Sequence, residues 1–408
     1  MISIQKKIVT SGKKYDGFQV NEIFTAENLI LCYALVKSKS FENNTLFLVF
    51  DKLLKLIYQH EFHGNIGVPK IINESLYFNG LNSLFVLNEK ELIKKFELET
   101  YKMQGFAVVS ADVIILSKLN ENRSREYKCL NLNNGLILWA KSSEDNLLYK
   151  GEIGKNFVVS HFLDRRVDSN TGIFSDERYK IQCLNFETGD LVWSHEVQDW
   201  FVFNSVSGNV YKNQVRQLVI YKHLVIANMH SHVVAFDIET GKEAWRTDIG
   251  LMYINTQYFF ILDEIEGTLW VNTSTTNYNN GTLKCINANT GVVLFSATMP
   301  WDNNWQQIYP LAIANPNINY GDVWLPHFSM NKNFLFYSFQ GGFIGVMSKK
   351  TGEIVEWMSF SKRNGVTQMG HKLLNKTLYQ ATEFELLAID VSEYFIDGDE
   401  YEKNAKDD

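Results

Sequence analysis

The stretch Cys183-Leu-Asn-Phe-Glu-Thr-Gly189-Asp-Leu-Val-Trp193 decides the fold, because the chain repeats its pattern. The same phrase stands as Cys129-Leu-Asn-Leu-Asn-Asn-Gly135-Leu-Ile-Leu-Trp139 and as Val234-Ala-Phe-Asp-Ile-Glu-Thr-Gly241-Lys-Glu-Ala-Trp245. It returns as Cys285-Ile-Asn-Ala-Asn-Thr-Gly291-Val-Val-Leu-Phe295 and as Gly345-Val-Met-Ser-Lys-Lys-Thr-Gly352-Glu-Ile-Val-Glu-Trp357, with one extra residue before the last Trp. The turn glycines lie 54, 52, 50 and 61 residues apart. A repeat of that length, built from short alternating strands, is the signature of propeller blades rather than of a helical solenoid.

Each residue type in the phrase has a mechanical reason. Alternation in Val233-Val-Ala-Phe-Asp-Ile puts every second side chain on one face of a half-buried strand. An Asn or Asp shortly before Thr-Gly suits a tight hairpin: Gly supplies positive φ, and the Asx side chain bonds its own backbone. The Trp that ends the second strand has a ring large enough to cover the gap to the next blade. Trp139, Trp193, Trp245 and Trp357 are therefore read as packing, not as a ligand box.

Weaker copies extend the count. Leu46-Phe-Leu-Val-Phe-Asp51 with Lys55-Leu-Ile-Tyr58, and Leu84 through Phe96, keep strand–turn–strand without Gly or Trp. Leu386-Leu-Ala-Ile-Asp390 keeps only the first half, and Ile2 through Val9 is a spare strand that could complete it. Pairing those two would remove two exposed sheet edges. The expectation is an all-β chain: a single closed β-propeller of eight four-stranded blades, seven if the two degenerate units are miscounted, with the ring closed by the N-terminal strand.

The repeat runs nearly end to end, so residues 1–396 read as one domain. Segment 397–408, with six acidic and two basic residues, reads as a disordered acidic tail. No apolar run is long enough for a signal peptide or a membrane span, which predicts a cytoplasmic protein without a membrane partner. Cys129, Cys183 and Cys285 share one strand position in different units and Cys32 stands alone, so all four read as small buried hydrophobes. A net charge of −7 gives no basic footprint for nucleic acid and would suit a cationic protein partner. The pairs His230/His232 and His60/His63 lack a third partner at ligand spacing, so no metal is expected.

The phrase strand–Asp/Asn–x–x–Thr–Gly–x–x–x–Trp resembles the repeat of pyrroloquinoline-quinone-like propellers. That superfamily includes quinoprotein alcohol dehydrogenases and a lipoprotein of bacterial outer-membrane assembly. The resemblance implies a propeller and is nearly silent on function. The enzymes resemble one another in a vicinal Cys-Cys pair beside the quinone, and this chain has no adjacent cysteines. No cofactor and no catalytic residue are therefore expected.

Function should sit where the repeat is broken. Asp199 through Tyr211 is an aromatic, Asn/Ser-rich insertion holding Trp200 and Phe201. Pro300 through Pro310 carries Trp301, Trp305 and Tyr309. Leu163 through Arg178 reads as a protruding hairpin of alternating charge, with Arg165 and Arg166 as anchors. Large rings and Arg are the composition of interface hot spots. The alternative is that these rings fold back and cap the disc. The resulting expectation is a non-catalytic, protein-binding scaffold, monomeric when free, with a toxin-neutralising immunity-type partner of a bacterial toxin as its sharper form. The rival reading is a propeller enzyme that binds a quinone or another small molecule in its axial funnel.

Overall fold

The computed structural model describes residues 3–9, 18–26, 29–37, 43–63, 70–72, 75–80, 83–88, 91–98, 106–109, 112–119, 125–143, 148–154, 157–167, 174–197, 201–203, 210–212, 215, 217–229, 232–249, 260–274, 281–298, 327–339, 343–359, 368–382, 385–396 and 402–404. Strand β1 (Ser3–Val9) precedes sheet 1, which is β2 (Phe18–Ala26), β3 (Leu29–Lys37), β4 (Asn43–Asp51) and β5 (Leu56–His63). Sheet 2 is β6 (Lys70–Ile72), β7 (Ser75–Gly80), β8 (Ser83–Asn88) and β9 (Glu91–Glu97). Sheet 3 is β10 (Phe106–Val109), β11 (Val113–Leu119), β12 (Arg125–Asn131) and β13 (Ile137–Ser143). Sheet 4 is β14 (Leu148–Gly154), β15 (Phe157–Val167), β16 (Phe174–Asn185) and β17 (Leu191–Val197). A ribbon of β18 (Phe201–Phe203) and β19 (Val210–Lys212) follows.

Sheet 5 is β20 (Gln217–Tyr221), β21 (Leu224–Asn228), β22 (His232–Asp237) and β23 (Glu243–Asp248). Sheet 6 is β24 (Phe260–Asp263), β25 (Thr268–Ser274), β26 (Gly281–Asn287) and β27 (Val293–Thr298). Sheet 7 is β28 (His327–Asn331), β29 (Phe334–Phe339), β30 (Phe343–Ser348) and β31 (Ile354–Ser359). Sheet 8 takes β32 (Gln368–Leu374), β33 (Thr377–Thr382) and β34 (Glu385–Asp390) from the end of the chain and β1 from its start. A 3-10 turn at Ser392–Tyr394 and a last strand, β35 (Glu402–Asn404), complete the described elements.

Every sheet is antiparallel, sheets 1 to 6 are simple meanders, and the four-stranded sheets fit propeller blades. Each repeated phrase forms the last hairpin of its sheet. In sheet 4 the Gly189 amide donates to the Asn185 carbonyl at 2.8 Å, and Gly189 sits at φ 69°. The Asn185 side chain accepts from the Glu187 and Thr188 amides at 2.9 and 3.0 Å, closing the Asx turn. Across the hairpin a small residue faces the aromatic: Cys129 opposite Trp139, Cys183 opposite Trp193, Ala235 opposite Trp245, Cys285 opposite Phe295.

The aromatic then leaves its own sheet. A Cβ on Gly189 would come within 2.7 Å of the Trp139 ring, and one on Gly241 within 2.6 Å of Trp193. Gly291 stands in the same relation to Trp245, and Gly352 to Phe295. The Trp139 indole donates to the Phe186 carbonyl at 3.0 Å, and Trp193 to Ile238 at 2.8 Å. Trp139, Trp193 and Trp245 are only 8%, 9% and 9% exposed, as expected of packing residues. Nothing is described of the Trp357 side chain.

Hydrophobic cores lie between sheets. Leu84 and Leu98 pack with Ile114 and Leu130 across sheets 2 and 3, and Phe336 and Val346 pack with Leu378 and Leu387 across sheets 7 and 8. Sheet 8 in turn meets sheet 1, where Leu48, Phe50 and Leu54 pack with Tyr379 and Leu386. The Tyr379 hydroxyl donates to the Lys52 carbonyl at 2.7 Å across that seam. Leading strands of neighbouring sheets also touch: β2 meets β32, β10 meets β14, β14 meets β20, and β28 meets β32. All four cysteines are free and buried. Burial pushes the Cys32, Cys129 and Cys183 thiols up to about 12 and Cys285 to about 11, which keeps them protonated and unreactive. Among the described residues, no helix is long and apolar enough to cross a membrane.

The spare N-terminal strand pairs where expected, with Ile4 opposite Ile389 and Val9 opposite Glu385. The acidic tail needs a correction. Its residues 402–404 are not disordered but form β35, which adds to β28 as a fifth strand of sheet 7. The reason is an open edge that offers main-chain bonds to any extended segment, charged or not.

Truncating Trp193 to Ala should cost about 3–5 kcal/mol in urea unfolding. Gly241→Ala, which meets that same ring from the other side, should cost at least about 1–2 kcal/mol from the left-handed backbone alone. Deleting residues 1–9 should lower the melting temperature sharply, and an unchanged melting point would show that β1 does not hold sheet 8 together.

Candidate functional site

Trp200, Trp301, Trp305 and Tyr309 lie outside the described residues. Phe201 opens β18, in the ribbon that the insertion after sheet 4 forms. Arg165 and Arg166 lie on the β15–β16 hairpin, whose register runs well past the ends of its neighbours. Strand β14 pairs with Phe157–Phe162 and β17 with Tyr179–Leu184, leaving 163–167 and 174–178 as a two-stranded projection. In that projection Asp164 faces Arg178, Arg165 faces Glu177, and Arg166 faces Asp176. The expected protruding hairpin therefore exists.

The sequence missed two polar seams. At the junction of sheets 6 and 7, Asp263 and Lys349 form an ion pair whose side chains are 0% and 8% exposed. Lys349 also donates to the Asn331 carbonyl at 3.2 Å. In other sheets the same turn position is held by buried apolar residues, Leu132, Ile238 and Ala288. A cation there is a departure from the repeat that only its distant partner explains.

The second seam joins sheets 7 and 8. Ser329 on β28 and His371 on β32 sit 3.1 Å apart, Oγ to Nε2, beside buried Gln380 and Lys372. A serine next to an imidazole invites a nucleophile–base reading. The electrostatics oppose it: burial first, then the Lys372 charge, pulls His371 down to about 3. Such an imidazole is too weak a base to take a hydroxyl proton near neutrality, and both residues are shut from solvent. The pair is a buried core contact. Among the described residues, no group of three or more His, Cys, Asp or Glu is placed to hold a metal ion.

The exposed chemistry lies on the trailing strands. Leu136, Ile137 and Leu138 at the start of the last strand of sheet 3, and Leu191 and Val192 in sheet 4, are large aliphatic residues facing water; Leu136 is 64% and Leu191 55% exposed. These two sheets are neighbours, joined by Trp139 on Gly189 and by a Lys141–Asp190 ion pair of 2.8 Å. Sheet 6 repeats the pattern with Val292, Val293 and Leu294, whereas sheet 5 replaces it with a Glu243–Arg246 ion pair. The repeated phrase already contained these residues, but alternation alone could not say which face of the last strand would stay uncovered.

No protein-family model matches the chain, and no curated protein is similar to it in sequence. Solved structures are similar in fold. BamB from Moraxella catarrhalis aligns with a TM-score of 0.53 at 13% identity, covering 96% of this chain and 100% of that one. Sqt1 from Saccharomyces cerevisiae gives 0.54 at 11%, covering 92% and 96%, and a europium-containing methanol dehydrogenase gives 0.55 at 10%, covering 95% and 93%. At such identities the likeness shows the fold alone, that of a β-propeller.

The buried imidazole makes a pH prediction. The unfolded chain takes up a proton on His371 below about 6.5, and the folded protein does not until about 3. Its contribution is therefore fully present above about 6.5 and is lost progressively as the pH falls toward about 3. Melting temperatures of the wild type and His371→Gln should converge as the pH is lowered through that window. Parallel curves would mean that His371 titrates normally.

Proposed function

We propose that the chain is a non-catalytic protein-binding β-propeller, eight blades of the pyrroloquinoline-quinone-like repeat closed into a ring by β1, with residues 1–396 as one domain. The observation that carries this reading is the group of exposed aliphatic side chains on the trailing strands of sheets 3 and 4. Apolar groups exposed together on neighbouring sheets mark interaction sites. A rigid scaffold with irregular insertions is also how folds present binding residues. The partner is another protein, touching Trp200, Phe201, Trp301, Trp305 and Tyr309, with Arg165 and Arg166 as charged anchors. The net charge of −7 favours a cationic partner by steering the encounter. A toxin held neutral in the cytoplasm is the sharper form of this proposal, with the propeller monomeric until it binds.

Affinity purification of the tagged full chain under gentle conditions, at successive growth stages, tests the reading. The expected result is a stoichiometric protein partner. Trp301→Ala with Trp305→Ala, and separately Leu138→Glu with Leu191→Glu, should each weaken its capture by roughly tenfold or more while the melting temperature holds. A chain recovered alone at every stage would overturn the proposal. So would dye-linked oxidation of an alcohol or sugar by protein supplied with quinone and calcium.

A further inference from the structure

Sheet 7 differs from the other sheets on its leading edge. There β35 runs antiparallel to β28, placing Ser329 opposite Asn404, Met330 opposite Lys403 and Asn331 opposite Glu402. The leading strands of the other seven sheets carry no such addition among the described residues. The strand is therefore not part of the blade plan; it is a guest on an open edge, supplied by the chain itself.

The guest is recognised at one side chain as well. The Glu402 carboxylate accepts the backbone N–H groups of Asn375 and Lys376 at 2.9 and 2.7 Å. These two residues form the tip of the β32–β33 hairpin in sheet 8, both at positive φ, 51° and 60°. Successive amides held in a turn make a concavity suited to an anion. A main-chain ladder on sheet 7 and an anion-binding tip on sheet 8 thus act together on a single extended segment. Ladder bonds give affinity without regard to sequence, and the carboxylate contact adds the selection.

We propose that the leading edge of β28 and the Asn375–Lys376 turn are a binding site for an extended segment of a partner protein carrying a carboxylate at the Glu402 position, and that the C-terminal strand is its resident competitor. The proposal goes beyond the function given above and stands without it, because the trailing-strand surface and this edge are different places. The resident strand is three residues long. So short a ladder opens readily, yet its tether keeps it at an effective concentration near the millimolar range. A free competitor then binds the intact chain weakly and gains access when the tail lets go.

The probe is a fluorescent synthetic peptide with the sequence of residues 400–406, Glu-Tyr-Glu-Lys-Asn-Ala-Lys, titrated into full-length protein. Full-length Glu402→Lys should bind it at least about tenfold more tightly than the wild type does, with Glu402→Gln between them. A peptide carrying the same Glu402→Lys change should bind none of the three proteins. Hydrogen exchange gives an independent reading: amides of residues 329–331 should lose protection in both variants and regain it when the wild-type peptide is added. Equal exchange in wild type and variants, or peptide binding that is absent or equal throughout, would overturn the proposal. Melting curves identify a variant that has merely unfolded, and the other substitution then decides.

Discussion

The contact on which the repeat depends is an aromatic ring lying where a Cβ would otherwise be. Gly189, Gly241, Gly291 and Gly352 each adopt a left-handed conformation that suits glycine, and the space left by the missing side chain is filled by the aromatic of the preceding sheet. Neither half works alone. A ring without the glycine would meet a methyl group, and a glycine without the ring would leave a void between sheets. Because each contact joins only neighbours, stability in such an array is close to a sum over seams. The small residues opposite the rings, Cys129, Cys183, Ala235 and Cys285, belong to the same constraint, since a larger side chain there would compete for the space.

The seams are built on one plan but are not identical. Trp139 and Trp193 donate to a carbonyl of the next sheet, whereas the Trp245 indole N–H is buried without an acceptor. Phe295 has no donor and packs instead near Trp270. At the following turn Lys349 takes an apolar position and reaches back to Asp263. A buried ion pair is weak evidence for stability, because desolvating both charges offsets much of their attraction. It does punish separation, since either charge left alone in that seam would be costly. Sheets 6 and 7 therefore carry a mutual label, as sheets 7 and 8 do in the Ser329–His371 contact.

What was legible in the sequence follows from what is local. The hairpins of sheets 3 to 7 could be read because Asx (Ser348 in sheet 7), Gly and aromatic sit within about a dozen residues, the reach of a turn and its flanking strands. Sheet 1 was harder. Leu54 occupies the left-handed position that glycine marks elsewhere, at φ 55°, while Asp51 still accepts the Leu53 and Lys55 amides. The turn survives there on its Asx residue and a buried leucine, without the residue that announces it. The protruding charged hairpin was readable from its alternation. The Asp263–Lys349 pair was not, since its partners are 86 residues apart. Nor was β35, because nothing in Glu402-Lys403-Asn404 is apolar or periodic, and what holds it belongs to sheets 7 and 8.

The composite make-up of sheet 8 has a consequence for the chain while it is being made. Ser3–Val9 leaves the ribosome long before its partner, Glu385–Asp390, has been made. At ordinary translation speeds of about 5–20 residues per second, the first strand waits roughly 20–80 seconds with both of its edges unsatisfied. During that interval it is an extended segment open to any passing sheet edge. Lys6 and Lys7, set in the middle of the strand, are the kind of residues that make such an edge a poor template for a second chain.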